Sequence, residues 1–401
     1  MPIYQYKAVN IGGENIEGSY TAKNKNEVIM MLKQNNNYPV SIQEKESKSV
    51  LDLKPLSRVK TKDIAIFCRQ FYAMLNSGVP IISCLDILRQ QVENKKLKQV
   101  IAEVYEEVQK GQTFSEALKN HPSIFPQLMV YMIAAGETSG SLDIIMDRLA
   151  VHYEKENRIN NKIKSAMVYP SILTFVSIAV VIFLLTFVMP TFLGMFEGSG
   201  VALPLPTRIL LIISNGLKQF WHVLLFIVIL SGYGLRRYIN SIDGRYNFDR
   251  LKLRLPMIKI LNQKIITARF SRTLSTLLGS GIPLLQSLEN VANAVGNTYA
   301  AQGIMEARED VKKGVDIATP IRKTGLFPPM LDNMINIGEE SGTLEEILDK
   351  TANFYDDEVD LAIQKMTTLL EPIMIVIMAV IIGFIVIAMI LPMFDMLHTV
   401  H

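Results

Sequence analysis

Apolar and polar positions follow three different rhythms along this chain. Over residues 1–45 they alternate in short bursts. YQYKAV (4–9) reads as a strand, Gly12-Gly13 as a turn and Ile16–Ala22 as a second strand. Asn24–Asn35 has helical spacing, with Val28, Ile29 and Leu32 on one face, and Tyr38–Gln43 reads as a third strand. From Thr61 to Lys164 the rhythm is helical throughout. Ile64, Phe67, Phe71 and Met74 form one apolar stripe, and Leu142, Ile145, Met146, Leu149 and Tyr153 form another. Six helices fit between these limits. The third rhythm is unbroken apolarity. Ser165–Phe196 and Pro372–Phe394 contain no charged residue, and each exceeds the roughly 20 residues that cross a bilayer. A shorter run, Gln219–Leu235, has Trp221 and Tyr233 near its ends, as interfacial aromatics do, and borrows length from Ile209–Leu217. Six breakers between Met189 and Pro206 mark a loop leaving the membrane.

The pattern repeats. Phe67–Leu88 returns as Phe270–Val291 at an offset of 203, matching Phe67/Phe270, Arg69/Arg272, Leu75/Leu278, Ser77/Ser280, Gly78/Gly281, Pro80/Pro283 and Leu85/Leu288. After a one-residue deletion the offset becomes 202, pairing Phe125/Phe327, Gly136/Gly338, Glu137/Glu339, Gly140/Gly342, Leu142/Leu344 and Tyr153/Tyr355. The match enters the membrane at Pro170/Pro372 and leaves it at Pro190/Pro392 and Phe192/Phe394. The repeating unit is therefore a helical bundle plus the span that follows it. The middle span belongs to neither copy, and parity requires it if both bundles lie on one side. The predicted fold is an all-α integral membrane protein with two homologous cytoplasmic six-helix bundles, three transmembrane helices and a small α+β N-terminal module. Its expected divisions are 1–55 (module and linker), 61–164 (first bundle), 165–193 (span one), 194–208 (external loop), 209–235 (span two), 236–369 (second bundle), 370–394 (span three) and 395–401 (external tail).

Charge orients this arrangement. Lys155, Arg158, Lys162 and Lys164 precede span one, and Arg236, Arg237, Arg245, Arg250, Lys252 and Arg254 follow span two. By the positive-inside rule both bundles face the cytoplasm, and the C-terminus lies outside. The flank of span three is acidic (Asp356, Asp357, Glu358, Asp360, Glu371), so its orientation rests on parity and on the repeat. The N-terminus has no basic stretch followed by an apolar run, so no cleavable signal peptide is expected. A net charge of +3 gives no nucleic-acid footprint. The mean hydropathy of +0.24 alongside 20% charged residues reflects apolar character gathered into a few runs.

Candidate chemistry is sparse. The two cysteines, Cys68 and Cys84, lie in the helical repeat and read as packed free thiols. No His-x-x-x-His or Cys-x-x-Cys spacing occurs, so metal catalysis has no anchor. GETSGS (136–141) resembles a phosphate loop but lacks the Gly-Lys-Ser/Thr ending and recurs as GEESGT. It reads as a helix–helix corner, with Gly136 and Gly140 permitting the turn and Ser141 capping the next helix. Thr343, boxed with Glu346, is the equivalent cap in copy two. Gly78 and Gly281 end the first helix of each bundle in a left-handed turn, and Pro80 and Pro283 suit the first turn of the next. Glu137 and Glu339 fit two roles, a carboxylate closing the corner on backbone N–H groups or a contact or cation ligand on an exposed corner. Arg69 and Arg272 read as buried orienting ion pairs or as partner contacts. Pro170 and Pro372 are membrane-helix prolines tolerated because neighbouring helices can occupy the freed carbonyls. The apolar runs Ser165–Phe196 and Pro372–Phe394 of spans one and three hold no charged residue, which argues against a transport path.

The two F-x-R…S-G-[VI]-P-[IL] segments, the two G-E-x-S-G-x-L corners and the order bundle–span–span–bundle–span resemble the inner-membrane platform proteins of type IV pilus and type II secretion machines, the PilC/GspF family. The resemblance covers about residues 61–396. It implies a non-enzymatic protein without cofactors that contacts a cytoplasmic pilus assembly or retraction ATPase, pilin or pseudopilin subunits, other inner-membrane assembly components and lipid, and that self-associates, commonly as a dimer. It implies coupling of the ATPase to pilin addition or removal. The competing expectations are a three-span transporter and a membrane-anchored scaffold unrelated to pili.

Overall fold

A computed structural model of the chain describes residues 3–10, 15–22, 25–35, 37–45, 58–194 and 204–399. Two compact units are present: Met1–Arg58 with Glu93–Lys96, and Val59–Val92 with Leu97–His401. The expected Gly12-Gly13 turn, most of the linker and the centre of the external loop lie outside the described residues.

In the first unit, alternation becomes strands β1 (Ile3–Asn10) and β2 (Asn15–Thr21), followed by helix α1 (Lys25–Gln34) and strand β3 (Asn37–Lys45). The sheet is antiparallel in the order β2-β1-β3, with a register shift between Lys7 and Ala8. One face buries Tyr4 and Ala8 against Val28 and Leu32 of α1. Gly18 sits directly opposite Tyr6, and a Cβ there would stand 2.6 Å from the tyrosine Oη.

The first copy gives α2 (Thr61–Asn76), α3 (Ile81–Gln91), α4 (Lys95–Gln109), α5 (Phe114–Lys119), α6 (Gln127–Ser139) and α7 (Leu142–Ala166), all in the second unit save Lys95 and Lys96. Its centre is a ring cluster. Phe71 stacks on Phe114 at 5.1 Å, and Phe67 lies 5.6 Å from Phe71 and 5.9 Å from Phe125. Thr113 and Glu116 form a capping box at the start of α5, bonding each other's backbone N–H at 3.2 Å. Cys68 and Cys84 are free and buried.

Span one consists of α8 (Val168–Phe183), a π-turn at Leu184–Val188 and α9 (Met189–Gly194). The helix thus continues past Pro190, where the sequence suggested a loop. A wider turn absorbs the proline. Span two is a single helix, α10 (Leu205–Ile239), kinked at Phe220 (φ −113°, ψ 19°). It is twice as long as its apolar core, because residues 205–218 join it.

The second copy follows through α11 (Ile242–Lys252), an addition with no equivalent in the first. It then runs through α12 (Pro256–Gly279), α13 (Leu284–Ala294), α14 (Thr298–Lys312), α15 (Ala318–Lys323), α16 (Pro329–Ser341) and α17 (Leu344–Thr399). Asp249 of α11 caps α14, accepting from the Thr298 N–H at 2.9 Å and its hydroxyl at 3.0 Å. Helix α17 carries both the last bundle helix and span three in 56 residues without a break. Its first-copy counterpart is interrupted at Met167. It also runs to Thr399, into the segment expected as a tail. Among the described residues, three helical stretches of this unit, Leu142–Phe192, Leu205–Ile239 and Leu344–Pro392, are long and apolar enough to cross a membrane.

Candidate functional site: the seam between the repeats

The two copies meet along α7 and α17. These helices run side by side in the same direction, and their facing charges are opposite in sign. Arg148 pairs with Glu345 at 2.9 Å, Lys155 with Asp356 at 3.5 Å, and Arg158 with Asp360 at 3.5 Å. Lys162 also pairs with Asp360, and the Tyr169 hydroxyl reaches Glu371 at 3.4 Å. Lys155, Arg158 and Lys162 of the basic flank of span one thus pair with Asp356 and Asp360 of the acidic flank of span three. Beneath the ladder, Ile159 of α7 packs with Leu261 and Ile265 of α12 and with Val359, Ala362 and Ile363 of α17. Arg269 of α12 crosses the seam to Glu156, bonding its two oxygens at 2.5 and 3.0 Å. Burial alone would raise the Glu156 carboxyl, but the Arg269 guanidinium and, after it, His152 and Asn160 together hold the group below the ordinary range.

The repeated arginines sit differently in the two copies. Arg69 is 39% exposed and takes Glu154 with two bonds (2.7 and 2.8 Å) and Asp147 with a third at 2.8 Å. Arg272 is 7% exposed and pairs with Asp356. The expectation of buried pairs at both arginines therefore needs correction for Arg69, because α17 and α12 are covered by α7 while α2 and α7 lack an equivalent cover. At the seam, His152 is buried with its Nδ1 unbonded. Burial, and then the neighbouring Arg272 charge, push its pKa down to about 4. His152 and Arg272 line a cleft of about 620 Å³ between the copies, with Asp147, Lys155, Thr343 and Asp349 around them.

The repeated corners are built as follows. Gly78 and Gly281 have φ of +80° and +77°, and Gly140 and Gly342 have +69° and +70°, the left-handed region that glycine enters without cost. Pro80 and Pro283 are the residues just before helices α3 and α13 rather than in their first turns. Gly136 and Gly338 do not turn. Both are helical, and their missing side chains let the next helix approach. A Cβ on Gly136 would lie 2.8 Å from Ile145 Cγ1, and one on Gly338 2.9 Å from Leu344 Cα. Ser141 precedes α7, but its hydroxyl bonds Ser139 at 2.6 Å instead of capping. Thr343 likewise bonds Ser341 at 2.6 Å, and Glu346 is held by Lys350.

Glu137 and Glu339 reach across to the adjacent short helix. Glu137 accepts from the N–H groups of Phe114 (2.6 Å) and Ser115 (3.1 Å) and from the Ser115 hydroxyl (2.5 Å). Glu339 accepts from Ile317 (2.7 Å) and Ala318 (3.1 Å). Each carboxylate thus occupies the positive end of a helix with orphan donors. Pro170 is buried near the start of span one, and Pro372 lies within α17. Among the described residues no cluster of three or more His, Cys, Asp or Glu could hold a metal. The ion pairs and the apolar strip join the two bundles along α7 and α17.

The family model described as Type II secretion system (T2SS), protein F matches residues 67–190 and again 270–392, one match per copy. The model for the N-terminal domain of the same protein matches residues 1–43. Among similar proteins, the type IV pilus assembly protein PilC of Thermus thermophilus is 38% identical, over 100% of this chain and 99% of its own. PilC of Myxococcus xanthus is 37% identical over 98% and 94%. Type II secretion system protein F of Vibrio cholerae is 32% identical over 99% and 98%.

Proposed function

Since this chain belongs to the type II secretion system protein F family, we propose that it couples a cytoplasmic assembly or retraction ATPase to the addition or removal of pilin or pseudopilin subunits. It is a multi-pass inner-membrane platform protein of the pilus and secretion type. In this reading both bundles and the N-terminal module face the cytoplasm, the C-terminus is external, and the protein acts without a cofactor or chemistry of its own. Pilins, further inner-membrane assembly components and a second copy of the chain are its neighbours in the machine.

The observation that carries the reading is the seam. A motor's displacement can pass through a platform only if its cytoplasmic part and its spans move together. Here α7 and α17 each lead towards a span, and they are joined by an ion-pair ladder, an apolar strip and the Arg269–Glu156 crossing. The lack of charged residues in the apolar runs of spans one and three favours a mechanical role over transport. The test is co-isolation. Full-length protein solubilised in mild detergent is expected to retain the cell's assembly ATPase, and to hydrolyse no ATP once that ATPase is removed. Failure to retain it from cells that are making pili or pseudopili would contradict the coupling.

A further inference from the structure

Pro190 and Pro392 stand at equivalent places near the outer ends of the two repeat spans. A proline has no N–H, so in an α-helix the carbonyl four residues earlier loses its donor. For Pro392 that carbonyl belongs to Ala388. Span one differs, because Leu184–Val188 is a π-turn in which the Met189 N–H closes on the Leu184 carbonyl, five residues back. At that spacing the donor owed to the Leu185 carbonyl is residue 190, again a proline.

Both carbonyls are taken by hydroxyls of α10. Thr207 Oγ1 donates to the Ala388 carbonyl at 2.5 Å, and Ser214 Oγ to the Leu185 carbonyl at 2.5 Å. The two side chains are 1% and 0% exposed. Ser171, Thr174, Thr186 and Thr191 of span one instead turn back along their own helix, to the carbonyls of Met167, Pro170, Ile182 and Phe187. Thr207 and Ser214 lie two turns apart on one face of α10. Between them Leu210 packs with Leu185, Met189, Ile385 and Ala388. Past that face, every residue from Lys218 to Tyr238 is exposed, so the attachment of α10 to the other spans is confined to its outer half.

We propose that span two is a hydroxyl clasp. Thr207 and Ser214 fill the carbonyls that Pro392 and Pro190 leave open, and so tie the outer ends of both repeats into one joint. This explains why a span outside the repeat is present beyond the need for parity, and it does not depend on what the cytoplasmic bundles bind. The pairing is specific: Thr207 answers Pro392, and Ser214 answers Pro190.

The test is a pair of double-mutant cycles on the full-length protein in detergent, read as the unfolding midpoint. T207V is expected to lower the midpoint by about 2–4 °C, and T207S by much less. P392A gives the Ala388 carbonyl a backbone N–H, so T207V made on P392A is expected to cause almost no further loss. S214A on P190A is expected to behave likewise, whereas the mismatched pair T207V with P190A remains additive. A T207V loss of the same size with and without P392A would overturn the proposal, as would equal rescue by the mismatched pair. Should one proline variant not fold, the other cycle decides.

Discussion

At the scale of single residues, the groups that matter are carboxylates held by backbone N–H groups, ion-paired arginines and one buried histidine. Replacing Glu137 with Ala strips two N–H groups at the start of α5 of their acceptor and should cost about 1–3 kcal/mol. Glu339→Ala should cost about the same at α15, measured by denaturant unfolding of the purified chain. The two arginines should separate. Arg272→Ala leaves Asp356 buried with only Lys155 at 3.5 Å, a loss of about 3 kcal/mol. Arg69 is half-exposed and solvent-screened, so Arg69→Ala should cost about 1 kcal/mol. Equal losses would contradict the asymmetry of the two copies. His152 makes stability depend on pH. The folded chain keeps this ring neutral down to about pH 4, whereas an unfolded chain protonates it near 6.5. Between these values the unfolded state holds the extra proton. Stability therefore falls as pH drops through that window, by up to about 3 kcal/mol. Glu156, Arg269, Arg272 and Tyr153 surround the ring and remain in place in His152→Gln, which should remove most of the slope.

At the scale of elements, the sequence resolved what is periodic and missed what is paired at a distance. Apolar spacing located the bundle helices, and the offset of 203 located their repetition, because both signals recur along the chain. The charge ladder does not recur. Its two strips differ in sign and lie about 200 residues apart (197 for Arg148 and Glu345), so from the sequence alone the acidic flank of span three leaves its orientation to parity and the repeat. In the structure that flank is the complement of the basic flank on α7. Gly136 shows a second kind of miss. A glycine in a Gly-Glu-x-Ser-Gly corner suggests a turn, but only Gly140 has a positive φ, while Gly136 serves close helix contact. The prolines that α10 answers were visible as a repeat, yet nothing local tied Thr207 or Ser214 to them. The ladder gives its own prediction. Lys162→Asp places like charge against Asp360 and should loosen the seam, whereas Lys162→Asp combined with Asp360→Lys should recover much of the loss. Arg158, which shares Asp360, would then oppose the introduced lysine and keep the recovery incomplete. No recovery at all would show that the ladder is not a specific pairing.

At the scale of the molecule, one unit contains both bundles and the three apolar helices. A continuous buried core spans both bundles, from Ile64 and Phe67 in the first to Leu348 in the second. The seam continues that connection down to the membrane, and α10 closes it at the far side. A body joined in this way suits the proposed passage of displacement between bundles and spans. Under the proposed coupling, the chain is needed for building the filament and not for making its subunits. The most direct measurement is surface pili, or secreted pseudopilus cargo, alongside total pilin in a strain lacking this gene. Filaments or secretion should be lost, with pilin at the wild-type level and assembly restored on complementation. Normal assembly without the gene would contradict it.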